Sequence, residues 1–198
     1  MEIVIASNNK GKVEEIKNYL SDKNIIVFSL EDYPDFPGVT EDGKTYFENA
    51  FKKAHAVCQY TKKTAIADDS GLEIEALNNN PGIYSSRYAG LQAGANDNIK
   101  KVIEELKKLP PETSKKAAFK CVISIAHPNG NSDVIKESCE GEMILSPRGT
   151  HGFGYDPIFY IPELKATMAE LSLAKKNEIS HRGKAMKRLK ELLPKYIK

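Results

Sequence analysis

Two consecutive aspartates, Asp68 and Asp69, sit in the segment Ala67-Asp68-Asp69-Ser70-Gly71-Leu72. Adjacent carboxylates repel each other unless something positive stands nearby. A divalent ion shared with substrate phosphates would meet that need, because Mg²⁺ takes one or two carboxylates and keeps several waters. The residues Thr64–Ala67 predict a short strand, and Asp, Ser and Gly after them predict a turn, with extended structure resuming at Leu72–Leu77. Neighbours in a strand point to opposite faces, so the two aspartates are expected to differ in role. A solvated turn would account for the same residues if no cation faced them.

Three further polar clusters carry chemistry of a complementary kind. Ser7-Asn8-Asn9-Lys10-Gly11-Lys12 lies between a predicted strand and a predicted helix. Such a turn aims backbone N–H groups and the positive end of the helix at whatever sits above it, which suits phosphate. It is not a Walker A loop: Ala6 stands where that motif needs its first glycine, and Val13 where it needs Ser or Thr. His151-Gly152-Phe153-Gly154-Tyr155-Asp156-Pro157 offers two glycines for close backbone approach and aromatics for stacking on a base. Lys176-Asn177-Glu178-Ile179-Ser180-His181-Arg182-Gly183-Lys184 places four cations close to a helix start, with Ser180 as N-cap. Cations there oppose the helix dipole, and an anion or an acceptor-rich ligand would explain them. Each cluster also has a plainer reading as a polar loop or solvated basic turn.

The elements that must hold these clusters follow from hydrophobic periodicity. Glu2–Ser7 reads as a buried strand, Lys10–Leu20 as a helix with Val13, Ile16 and Leu20 on one face, and Ile25–Leu30 as a second strand. Asp32–Gly43 is loop. Thr45-x-x-Glu48 is a capping box that opens a helix with Phe47, Ala50, Phe51, Ala54, Val57 and Cys58 at helical spacing. Asn78–Gly82 is a turn-rich break, and Asn96 is the expected cap of a helix to about Leu109. Ala117–His127 and Ser132–Gly141 flank Pro128-Asn129-Gly130-Asn131, a hairpin signal. A hairpin symmetric about Gly130 would set Cys121 opposite Cys139. Ser146–Gly154 is loop, Pro157–Ile161 a strand, and a last helix from near Ser180 buries Ala185, Met186, Leu189, Leu192 and Leu193. Strands and helices alternate early and a hairpin follows, so the fold class is α/β with a mixed sheet flanked by helices.

Composition narrows the classes. The 198 residues carry 29 basic and 27 acidic side chains, a net charge of +2. That balance does not suit a chain that coats DNA or an anionic membrane. No apolar run has the length of a membrane span. The N-terminal stretch has neither a basic leader nor a cleavage site, so a cytoplasmic location is expected. Three scattered cysteines, Cys58, Cys121 and Cys139, make neither a disulfide scaffold nor a zinc site.

Taken together, in order and spacing, these clusters resemble the inosine triphosphate pyrophosphatase family, the non-canonical purine NTP pyrophosphatases. The matching pieces are Ser7–Lys12, Glu41-x-Gly43 with Thr45-x-x-Glu48-Asn49-Ala50, Lys53-Ala54, Ala67–Leu72, Pro81–Tyr88, Gly152–Pro157 and Ile179–Arg182. They run from the first strand to the last helix. His151 departs from the pattern, standing where many members have glycine. The resemblance implies a single domain over residues 1–198, an elongated mixed sheet with two lobes and a central cleft, and a homodimer. It implies hydrolysis of ITP, dITP and XTP to the monophosphate and pyrophosphate, with Mg²⁺. Ser7, Asn8, Asn9, Lys10, Gly11, Lys12 and Lys53 would hold phosphates, and Ser70 would touch substrate. Glu41, Asp68 and Asp69 would form the metal side, with Asp69 also the base. Phe153, Gly154, Tyr155, Asp156, Lys176, His181 and Arg182 would line the base pocket.

Other readings stay open at this point. A related pyrophosphatase of modified pyrimidine triphosphates would share the fold. A nucleotide-binding protein without catalysis would lack a use for carboxylates facing a polyphosphate. A nucleic-acid module would use the basic helix Lys184–Lys198, whose lysines flank an apolar stripe in the manner of a solvated face.

Overall fold

The computed structural model describes residues 1–20 and 25–195; the end of the basic C-terminal stretch, 196–198, lies outside the described residues. Among these, eight strands form one sheet: β1 (Glu2–Ile5), β2 (Ile26–Ser29), β3 (Thr64–Ile74), β4 (Asn80–Pro81), β5 (Lys116–Ala126), β6 (Ser132–Met143), β7 (Phe159–Ile161) and β8 (Ala166–Thr167). The order is β2-β1-β3-β5-β6-β7-β8, with β4 on β3. β1 runs parallel to both β2 and β3, whereas β3–β4, β6–β7 and β7–β8 are antiparallel. The helices are α1 (Lys10–Tyr19), α2 (Tyr46–Thr61), α3 (Ala95–Lys107), α4 (Leu173–Ile179) and α5 (His181–Leu192). The fold is the mixed α/β class expected. No helix among the described residues is long and apolar enough to cross a membrane.

The chain forms two compact units. The first holds Met1–Asp69, Cys121–Glu137 and Ala185–Lys198; the second holds Ser70–Lys120 and Ser138–Lys184. In the first, β1 is a continuous apolar run because both its neighbours are strands and both its faces are covered. Ile3 and Ile5 pack with Ile16 and Leu20 of α1, with Ile66, Ile123 and Ile125, and with Met186 and Leu189 of α5. Val4 and Ala6 point the other way, toward Ala54, Val57 and Cys58 of α2. Each such isoleucine or leucine, wholly buried, contributes about 1.5–3 kcal/mol. In the second unit, α3 presents Ile99, Val102 and Leu106 to a core of Leu72, Ile74, Phe119, Met143, Tyr155, Ile158 and Phe159.

Several boundaries differ from expectation for physical reasons. Asp68–Gly71 is no turn: β3 runs unbroken through it. Asp, Ser and Gly favour turns only until tertiary partners hold them extended. Gly94, not Asn96, caps α3, because Asp97 Oδ2 accepts from Gly94 N–H at 3.0 Å. His127 N–H donates to Asn131 O at 2.9 Å and Met143 N–H to Lys115 O at 2.8 Å, which centres the hairpin on Asn129 rather than Gly130. Cys139 is therefore two residues removed from the position opposite Cys121, and all three cysteines are free thiols. The predicted strand at Pro157 begins only at Phe159, after a 3₁₀ turn over Asp156–Ile158. The helix expected from Ser180 is preceded by a second, α4, and Ser180 serves both: it ends α4, and its hydroxyl accepts from Gly183 N–H at 3.0 Å.

Candidate active site

In the first unit, β1 delivers the loop Ser7–Asn9 beside β3. Ile5 lies opposite Ile66, and Ala6 N–H donates to Ile66 O at 2.8 Å. Asn9 caps α1 through Oδ1, which accepts from Lys12 N–H at 3.1 Å, and Ser7 Oγ accepts from Asn9 N–H at 3.2 Å. These bonds fix the first turn of α1, and Lys12 reaches Asp68 Oδ1 in an ion pair. Asn8 and Lys10 are exposed and, with Ser7, line a hollow of about 410 Å³ that also holds Glu14, Lys17 and Glu31.

The two aspartates point to opposite sides of β3, as strand alternation requires. Asp68 is wholly buried on Lys12, and its Oδ2 accepts from Cys121 Sγ at 3.2 Å. Asp69 faces α2. Its Oδ1 lies 3.4 Å from Lys53 Nζ, and its Oδ2 accepts from Asn49 Nδ2 at 3.4 Å. Lys53 Nζ also meets Glu41 Oε2 at 3.1 Å and Asp68 O at 3.1 Å. Asn49 and Lys53 are four residues apart on α2, hence on one helical face. The helix starts where the capping box predicts. Thr45 Oγ1 accepts from Glu48 N–H at 3.1 Å, although Glu48 Oε2 accepts from Lys44 N–H at 2.7 Å rather than from Thr45.

The expected metal set of three carboxylates does not assemble. Glu41 and Asp69 converge on one ammonium, while the Asp68 carboxylate turns to Lys12 and Cys121. Among the described residues no three His, Cys, Asp or Glu side chains come together to hold an ion. A pair of hard oxygen donors is nevertheless what Mg²⁺ takes from a protein, the rest of its shell being water and phosphate. Burial pushes the Asp69 carboxyl above the ordinary carboxylate range. Lys53 and Lys12 oppose that shift, and Glu41 and Asp68 add to it. A carboxyl so placed accepts a proton more readily than an exposed one.

In the second unit, Ser70 follows Asp69 on β3 and its hydroxyl accepts from Arg182 Nη2 at 2.8 Å. The Arg182 guanidinium carbon lies 5.4 Å from the centre of the Phe153 ring, and Lys176 Nζ lies 4.9 Å from it. Lys176 pairs with Asp156 Oδ2 at 2.8 Å, and the same oxygen accepts from Phe153 N–H at 2.9 Å. Asp156 thus ties the aromatic loop to α4. Gly152 makes this possible: it sits at φ +79°, and a Cβ there would come within 2.1 Å of Asp156 Oδ2. His181 stacks on Phe119, ring centres 4.8 Å apart. Lys176, His181 and Arg182 are all buried, at 5%, 6% and 4% exposure. The two permanent cations, Lys176 and Arg182, need compensating partners once removed from water; the Asp156 carboxylate meets Lys176, and the Phe153 ring face serves both.

Tyr155 also has a part in the packing. It lies in the core, and its hydroxyl donates to Ser85 O at 2.8 Å. Ser85 Oγ in turn accepts from Leu72 N–H at 2.8 Å. Ser85 and Tyr155 therefore brace β3 and the aromatic loop, which gives the segment Pro81–Tyr88 a structural part. His151, exposed, donates its N–H to Ala169 O at 3.0 Å, a backbone bond that glycine would make equally. Asn49, buried at 1% exposure, was not among the expected site residues. Its position four residues before Lys53 was the available signal.

The chain is similar along its length to proteins already characterised by name. It is 47% identical to the dITP/XTP pyrophosphatase of Desulforamulus reducens over 98% of this chain and 96% of that protein. It is 48% identical to the dITP/XTP pyrophosphatase of Geobacter sulfurreducens, covering 96% of each. Among solved structures, the Staphylococcus aureus Ham1 protein matches with a TM-score of 0.87 at 46% identity, covering 99% of this chain and 100% of that one. A HAM1 protein from Coxiella burnetii matches with a TM-score of 0.89 at 42% identity, covering 98% and 99%. The Ham1 family model spans residues 3–192, so nearly every element that builds these clusters is shared, and the chain belongs to the Ham1 family.

Proposed function

We propose that this chain is a Mg²⁺-dependent nucleoside triphosphate pyrophosphohydrolase. It cleaves ITP, dITP and XTP to the monophosphate and pyrophosphate and so clears them from the nucleotide pool. The observation that carries the proposal is the convergence of Glu41 and Asp69 on one cationic position, where burial pushes the Asp69 carboxyl up. The names of its relatives support the substrate class. Glu41 and Asp69 would hold Mg²⁺, which when bound neutralises charge on the triphosphate oxygens. Lys10, Lys12 and Lys53, with the N-terminal N–H groups of α1, hold the phosphates. Asp69 takes a proton from a water that attacks the α-phosphorus, and pyrophosphate leaves.

Selectivity follows from donors and acceptors. Hypoxanthine and xanthine carry a 6-oxo acceptor, whereas adenine carries a 6-amino donor. Arg182 donates, and so does His181 in the fitting tautomer. Adenine would leave each such donor unmatched at about 1–3 kcal/mol. Phe153 offers a ring face for the base, and Ser70 a hydroxyl held by Arg182. The activity belongs to one domain over residues 1–198. It acts as a homodimer in the cytoplasm, a compartment that keeps its three free thiols reduced.

An assay panel tests this reading. ITP, XTP, GTP and ATP are offered with and without Mg²⁺, and pyrophosphate and phosphate are measured separately. Pyrophosphate from ITP and XTP, only with metal and well above ATP, is expected. Phosphate as first product, or equal rates on ATP, contradicts it.

A further inference from the structure

We infer that Asn49 is the positioning residue that sets the spacing of Glu41 and Asp69, an inference that rests on reading this pair as the holder of the metal. Asparagine is a poor helix former, and a buried amide is costly unless both its ends are bonded. Asn49 is in the first turns of α2 and nearly inaccessible. Its amide is divided between two partners. Oδ1 accepts from Gly43 N–H at 2.8 Å, and Nδ2 donates to Asp69 Oδ2 at 3.4 Å. One end therefore grips the loop that carries Glu41, two residues before Gly43, and the other grips β3.

The fit at Gly43 admits no side chain. A Cβ there would lie 2.5 Å from Asn49 Oδ1 and 2.8 Å from Glu48 Cβ. The loop backbone must approach α2 this closely for Gly43 N–H to reach the amide. The two oxygens of Asp69 are then assigned separately: Oδ1 to the charged Lys53, Oδ2 to the neutral Asn49. A lysine alone is a long, rotatable point charge. The short amide supplies direction, fixing which oxygen of Asp69 faces Glu41's side of Lys53. Groups that orient metal-holding carboxylates in this way set their affinity without touching the ion.

The test compares the wild-type chain with Asn49→Ala and Asn49→Leu. The leucine keeps the bulk of the buried side chain but can bond neither Gly43 N–H nor Asp69, so it separates loss of the two bonds from loss of packing. Mn²⁺ binding is measured by water-proton relaxation without nucleotide, beside kcat and KM for ITP with Mg²⁺ and the melting temperature. Both variants are expected to bind Mn²⁺ about tenfold to a hundredfold more weakly and to lose kcat by a similar factor, with KM for ITP unchanged. Wild-type Mn²⁺ affinity in either folded variant overturns the inference, as does a loss of KM and melting temperature with kcat preserved. If the variants weaken Mn²⁺ but no chain hydrolyses ITP, the positioning role stands and the ITP reading falls. If all three hydrolyse ITP equally, the positioning role falls and that reading stands.

Discussion

The polar cluster of the first unit and that of the second are built on opposite principles. In the first, every contact described for Lys12 and Lys53 is to an acidic side chain or a backbone oxygen: two lysines stand against Glu41, Asp68 and Asp69. In the second, Lys176 pairs with Asp156, Arg182 donates to the Ser70 hydroxyl, and both rest on the face of Phe153. With three carboxylates to two lysines, the first cluster suits the divalent ion proposed to stand between it and a triphosphate. The second is cationic and aromatic, and suits a planar, acceptor-rich base without a metal. On the proposed function, chemistry falls to the first cluster and discrimination to the second. Substitutions should sort accordingly, those in the first acting on kcat and those in the second on substrate preference.

The largest effect is expected at Asp69. Asp69→Asn should lower kcat for ITP by about 10²–10⁴-fold, the usual worth of a positioned general base. Its fold should not suffer. Because burial favours the neutral form of Asp69, this group's contribution to stability is full below the unfolded pKa of about 3.9 and is lost as pH rises through the higher folded value. Asn, permanently neutral, should melt no lower than wild type at pH 7. The same shift places the acid limb of the wild-type rate above the range of an ordinary aspartate, with activity falling as pH drops through it. Near-normal turnover of this variant would dissolve the division at its strongest point.

Gly152→Ala should come next. The added methyl collides with Asp156 Oδ2, and the left-handed backbone at φ +79° resists alanine. The strain, of order 1–3 kcal/mol, falls on the Asp156–Lys176 pair. KM for ITP should rise more than kcat falls in steady-state kinetics. Arg182→Ala should narrow the ITP-to-ATP preference by about tenfold or somewhat more, the worth of one unmatched donor; an unchanged ratio would remove Arg182 from base readout. The smallest effect is expected at Tyr155→Phe, which loses only the bond to Ser85 O. Thermal melting should show about 0.5–1.5 kcal/mol of destabilisation with the substrate ratio unchanged.

Much of this is legible in the sequence. The strand–helix pair β1–α1, the Thr45 cap of α2 and the apolar stripes of α3 and α5 follow from periodicity and capping. Strand alternation separated Asp68 from Asp69 correctly. What periodicity could not give was the continuity of β3 through Asp68–Gly71, because local turn preference is overruled by lysines and an amide that arrive from α1 and α2. Asn49 was hidden for the same reason: within its helix it is an unfavourable residue, and its two partners lie 6 and 20 positions away. Tyr155 has a packing part that its neighbours in sequence did not signal. A tyrosine beside two glycines suits a ligand wall, yet its hydroxyl finds its partner 70 residues away, inside the core.

In the proposed reaction, water deprotonated by Asp69 attacks the α-phosphorus. Hydrolysis of ITP in ¹⁸O-labelled water, followed by mass spectrometry of both products, tests this directly. Label in the inosine monophosphate, and none in the pyrophosphate, is the result predicted. Label in the pyrophosphate, or release of labelled orthophosphate, would contradict it.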